Sequence, residues 1–311
     1  MRNKLLFVLV FLSFPQAAQA LLPIQHWQTA HGARVYFVEN RDIPIIDVSI
    51  DFRAGSSYDV DEKLGVASMT NRILQKGAEG MDEDTIARLS ADVGAQIGGR
   101  FDSDRAGLSL RSLSSRAERD QALEVYLRTL HKPLFSADVL EREKRRLVSA
   151  LKESDIQPGT IATRNFQRMV YGAHPYGQRG SGEIDSVEKL TRDDLHAFYR
   201  KHYAARDAVI AIMGDMTRAD AEALATRIAA GLPAGEPSAG IAPAVRQGKG
   251  ATRFIAHHAS QSHIFVGSVG IARDDPDYFP LFVGNHILGG GGFSSRISDE
   301  VRQKRGLAYS V

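Results

Sequence analysis

Cysteine is absent from the 311 residues. That excludes a disulfide framework, thiolate metal ligation and a cysteine nucleophile. Excess charge is nearly absent as well. The 39 Lys and Arg face 37 Asp and Glu, a surplus too small to call for a nucleic-acid partner. Long apolar runs are missing beyond the first twenty residues, where no segment approaches the roughly 18 apolar residues of a membrane span, so a soluble mature chain with no membrane partner is expected. What is present is ordinary: 43% hydrophobic and 24% charged residues, the composition of a globular protein long enough for about two domains.

The first twenty residues have a pattern of their own. Arg2 and Lys4 precede an apolar run from Leu5 to Phe14, and Ala18-Gln19-Ala20 is a small-x-small cleavage site. This predicts a secretory signal peptide over 1–20 and, without disulfides, a periplasmic location. Cleavage removes two basic residues and no acid, leaving 37 of each sign.

In the mature chain, strands are expected at Ala33 to Glu39, Ile46 to Phe52, Ala95 to Phe101, Ala106 to Leu113 and Ala208 to Met213, from alternating or continuous apolar patterns. Helices are expected at Gly65 to Gln75, from a cap at Asp82 through Val93, and at Arg116 to Leu130, Ser136 to Ser154, Thr160 to Tyr171, Thr191 through Tyr199 and Arg218 to Ala230. Strands followed by helices, without strict alternation, predict an α+β fold built as a two-layer αβ domain. Domain one is placed at 21–232 and a Pro/Gly-rich linker at 233–250. A second, similar domain begins at 251, with strands around Arg253 to His257 and Ile264 to Val269 and a helix from Tyr278 to Leu288. The apolar stretch Leu307-Ala308-Tyr309-Ser310-Val311 reads as an interrupted strand, so this second domain is expected to be incomplete at 251–311.

Several blocks carry a resemblance. They are Asp47 through Ser56, Gly65-Val66-Ala67, His174-Pro175-Tyr176-Gly177, Tyr203, Gly214-Asp215, and Leu288 through Ile297 running into Val301 through Val311. In that order they resemble the pitrilysin/insulinase-type zinc peptidases, in the branch of the mitochondrial processing peptidases. The resemblance implies an inverted H-x-x-E-H helix whose two His bind zinc and whose Glu activates water, with a further Glu ligand from a later helix. Here the His positions hold Ser68 and Arg72, the Glu position holds Asn71, and the distal Glu falls at or next to Ala150. Ser and Ala are not competent zinc donors in such a site, Asn71 cannot take a proton as a carboxylate does, and Arg72 brings a permanent positive charge. No catalytic residue and no metal ligand is therefore expected, and no cofactor in this chain.

Other motifs add little. His257, His258 and His263 on an extended strand would not converge. The Gly289 to Gly292 run lacks the Lys-Ser/Thr of a phosphate-binding loop. Arg302 and Tyr309, seven residues apart, match a pair that in active relatives holds substrate and stabilises the developing oxyanion, so the resemblance implies a substrate-binding role for both. The expectation is a non-catalytic subunit of a periplasmic zinc peptidase heterodimer. Its partners would be a homologous zinc-bearing catalytic subunit, which carries the zinc, and a peptide substrate. A binding or scaffold module with no part in proteolysis, and an active zinc enzyme with relocated ligands, are the alternatives.

Overall fold

The computed structural model describes residues 22–246, 248 and 250–311; the expected signal peptide at 1–20 lies outside them. The described residues form two compact units, one from the segments up to Thr160 and from Gln178 to Ala242, the other from Ile161–Gly177 and Pro243–Val311.

The first unit is a mixed sheet covered by helices. Its strands are β1 (Gln25–Gln28), β2 (Arg34–Glu39) and β3 (Ile45–Phe52). Helix α1 (Val66–Leu74) follows, then a small hairpin of β4 (Gly77–Ala78) and β5 (Met81–Asp82). Next come α2 (Glu83–Asp92), β6 (Gln96–Phe101), β7 (Ala106–Leu113), α3 (Arg116–His131) and α4 (Ala137–Asp155). Helix α5 (Pro158–Tyr171) spans the division between units, and α6 (Ile184–Lys189), α7 (Arg192–His202), β8 (Val209–Gly214) and α8 (Arg218–Ala230) complete the first.

The sheet order is β1-β2-β8-β3-β7-β6. Only β2 and β8 pair in parallel; the other ladders are antiparallel. Alternation in β3 explains the two layers. Ile46, Val48, Ile50 and Phe52 are buried, with Phe37, Leu108, Leu110, Ile210 and Ile212 in the same core. Each such side chain contributes about 1.5–3 kcal/mol when fully buried. Asp47 and Asp51 lie on the other face, where Arg111 and Arg100 pair with them at 2.7 and 3.0 Å. One face is therefore wet and the other carries helices, a common state for antiparallel sheets.

The start of the expected linker is tied to this unit through Ser238. Its N–H donates to Asp207 Oδ2, its hydroxyl meets His202 Nδ1 at 2.9 Å, and its carbonyl accepts from Arg53 Nη1 at 3.0 Å. Burial pushes His202 down to about 4, helped by Lys201 and opposed by a backbone hydrogen bond and Asp207. A depressed histidine means that the unfolded chain binds the proton first. This contribution to stability is therefore whole above pH 6.5 and is lost as the pH falls through about 4. Wild type should lose about 2 kcal/mol more than His202→Gln between pH 8 and pH 5, read from urea midpoints; equal losses would show that His202 is not the titrating group.

The second unit departs from expectation. No strand forms at 253–257 or 264–269, nor at 307–311. Phe254 and Val266 are exposed, as are Leu307 and Val311. Apolar runs are present in the sequence, but a strand is held by its ladder, and none of these segments has a ladder partner among the described residues. The 264–269 segment instead rests on α5, with Phe265 and Phe166 ring centroids 5.9 Å apart. Helix α9 (Tyr278–Asn285) continues as a wider π-type turn through His286–Gly290, so the expected helix to Leu288 changes its winding near the glycine run.

Candidate functional site

The motif helix α1 is positioned at its start. Gly65 takes φ +94°, and a Cβ there would lie 2.9 Å from Ser181 O, so only glycine enters the helix here without strain. Asp59 caps the helix from outside, accepting from the Gly65 and Ala67 N–H groups at 2.6 and 2.8 Å. Burial pushes its carboxyl up to about 7 against the pull of those two donors.

Asn71 is buried, 5% exposed. Its amide donates to Gly107 O of β7 at 2.9 Å and to Tyr203 Oη at 3.3 Å. Tyr203, one of the resemblance residues, is fully buried, and burial raises its phenol. Position 71 is thus built for a donor. A carboxylate there would face the Gly107 carbonyl with nothing to give it.

Arg72 points outward, its side chain 44% exposed, with Nη1 3.9 Å from Glu143 Oε2 of α4. The Glu143 side chain is 3% exposed and also meets Arg146 at 2.9 Å, Arg142 at 3.4 Å and Lys76 at 3.9 Å. Glu83 joins the group through Lys76 at 2.6 Å and through Arg142, and the hydrogen bond from Lys76 holds its carboxyl low. Four cations thus surround two carboxylates. Ser68 is half-buried on α1, and Ala150 is exposed on α4, one turn after Arg146. Zinc does not fit these residues. A dication would meet a local excess of positive charge, a donating amide and no imidazole. Among the described residues no three His, Asp or Glu are grouped to hold a metal ion.

Sequence reasoning missed Glu143 and Gln75. Glu143 falls on the buried stripe of α4, four residues after Val139 and four before Leu147; an acid in that stripe was the available signal. Gln75 closes α1 against β6, an edge strand. With its amide oriented by its neighbours, it donates to Ile97 O at 3.1 Å and accepts from Gly99 N at 2.7 Å. Gly99 permits that contact, since a Cβ there would come within 2.8 Å of both Asn71 and Gln75. No sequence signal marked this bond.

In the second unit, Arg302 and Tyr309 come together. The Arg302 guanidinium lies 4.7 Å from the Tyr309 ring centre and 4.4 Å from that of Phe293, two cation–π contacts. Phe293 was not expected to take part. Tyr309 is 84% exposed. The turn before them is anchored at Ser295, which is buried and accepts from Ser298 N at 3.3 Å.

Fold and motif helix together define a metallopeptidase-type domain. A family model described as insulinase (peptidase family M16) matches residues 34–181, and one described as the peptidase M16 inactive domain matches 189–311. The chain belongs to this family. A solved structure of a peptidase M16 inactive domain from Pseudomonas fluorescens is 40% identical, with a TM-score of 0.84, covering 93% of this chain and 70% of that one. An uncharacterized zinc protease of Streptomyces coelicolor is 31% identical over 61% of this chain and 42% of its own length. A protein of Helicobacter pylori named non-peptidase homolog YmxG is 23% identical over 89% of this chain and 63% of its own length. This chain therefore spans less than two thirds of either curated relative. Among the described residues no helix is long and apolar enough to cross a membrane.

Proposed function

We propose that this chain is the non-catalytic member of a two-subunit M16 peptidase, exported to the periplasm by its leader and paired with a zinc-bearing homologue. The observation that carries the reading is Asn71. Where the active pattern needs a proton-accepting carboxylate, a buried amide donates to Gly107 O and Tyr203 Oη. The Pseudomonas relative's description as an inactive domain and the Helicobacter name point the same way. The paired Arg302 and Tyr309 supply the positive half: an exposed phenol beside a guanidinium can donate hydrogen bonds to a peptide carbonyl.

In this reading the chain helps to enclose a peptide while the partner performs hydrolysis. The lone chain should show no peptidase activity and take up no stoichiometric zinc. Mixed with a homologue that has an intact H-x-x-E-H, it should raise the cleavage rate. Arg302→Ala or Tyr309→Phe in that mixture should slow cleavage about tenfold or more. Zinc-dependent cleavage by the lone chain would overturn the proposal, and variants as fast as wild type would remove the role of the pair.

A further inference from the structure

The geometry points to a carboxylate-binding site formed by Arg72 and Arg146 where the family's pattern places metal ligands, taking an acidic side chain or the free C-terminus of a peptide. This rests on the peptide-handling reading above and specifies what the first unit contributes to it.

Three observations converge. The first is charge: Arg72, Lys76, Arg142 and Arg146 share only Glu143 and Glu83, so two positive charges are left over. The second is unused donors. Arg72 meets Glu143 only at 3.9 Å, beyond hydrogen-bond distance, and its guanidinium forms no hydrogen bond among the described residues. Arg146 uses a single N–H, from Nη1 to Glu143 Oε1, and its side chain is 61% exposed. A planar guanidinium with free N–H groups suits a carboxylate in two-point contact. The third is the size of the neighbours: Ser68 lies one turn before Arg72 on α1 and the exposed Ala150 one turn after Arg146 on α4, so no large side chain stands at either position.

Gln75 sharpens the choice of ligand group. The Ile97 carbonyl and Gly99 N–H of edge strand β6 are already bonded by its amide. Backbone pairing by an added peptide strand is closed at those two residues, and charge is what this face still offers.

The test uses the full chain and three eight-residue peptides of one neutral sequence. One has an amidated C-terminus, one is amidated with a single internal Asp, and one has a free C-terminus. Isothermal titration should show at least one carboxylate-bearing peptide binding about tenfold or more tighter than the neutral amide. The two acidic peptides distinguish a side chain from a terminus as the source. The advantage should shrink with added salt and vanish in the Arg72→Ser/Arg146→Ser variant, whose circular dichroism at the assay temperature should match wild type, since Arg142 and Lys76 remain beside Glu143. Equal binding of all three peptides, or a preference that survives in the double variant, overturns the carboxylate site. Equal binding of all three peptides by both wild type and variant would do so while leaving the peptide-handling reading intact. Absence of binding by all three overturns the site, and the two-subunit cleavage assay then decides the broader reading separately.

Discussion

Asn71→Glu lowers stability by about 4 kcal/mol and yields no zinc site. The substitution restores the family's proton-accepting residue type, yet the surroundings are arranged for its opposite. The Asn71 amide donates to Gly107 O at 2.9 Å and to Tyr203 Oη at 3.3 Å in a buried position. A glutamate takes away both donors. Leaving the Gly107 carbonyl unsatisfied costs about 1–3 kcal/mol. The new acid must then either remain charged without a compensating cation, or be protonated at further cost so that its O–H replaces one of the lost donors. It is also one methylene longer, in a space where Gly99 already leaves no room for a Cβ. For a unit of this size the melting temperature should fall on the order of 10 °C. Urea unfolding and elemental analysis after dialysis against zinc would read the two halves of the expectation. An unchanged midpoint, or one bound zinc per chain, would contradict it.

Glu143→Gln should lower stability by about 3 kcal/mol, because it removes the buried half of a charge cluster and leaves the cations. Only Glu83 would then face Arg72, Lys76, Arg142 and Arg146. The exposed guanidinia of Arg72 and Arg146 can turn toward water, which holds the loss near the low end of the range for broken buried pairs; Lys76 and Arg142 are more confined. The same denaturation experiment checks this. Added Arg72→Ser should recover part of the loss, since it removes one of the cations left over. If Glu143→Gln unfolds at the wild-type midpoint, the cluster contributes nothing to stability.

These two residues show how unevenly the molecule could be read from its sequence. Helices α1, α3, α4, α7 and α8 and strands β2, β3, β6, β7 and β8 follow local periodicity, with ends shifted by at most three residues. Strand β1 escaped notice because Gln-His-Trp-Gln carries little apolar pattern and is held by its ladder to β2. Helix α6 is short and starts from a Glu183–Ser186 capping pair rather than the usual Ser or Thr. The segments at 253–257 and 264–269 failed in the other direction: they are apolar in sequence, yet they find no ladder partner among the described residues. In the candidate site, positions 68, 71, 72 and 150 were singled out by the family resemblance. Where their side chains go was not legible: that Asn71 donates to a strand carbonyl and that Arg72 reaches Glu143 depend on chain segments far apart in sequence, and that Phe293 lies against Arg302 depends on the path of the turns between them.

The Ser238 contacts also say where the first unit can be cut free. The sequence invites a cut at Leu232, just after α8, where the apolar pattern stops. A fragment ending there would lose the N–H that Asp207 accepts and the hydroxyl that meets His202, both at buried side chains. It would also lose the Pro233 carbonyl that receives Ala205 N–H at 3.2 Å. A piece running to Ala242 keeps all three. The residues between these two ends look like spacer by composition, yet they are part of what must be made for the sheet domain to stand alone.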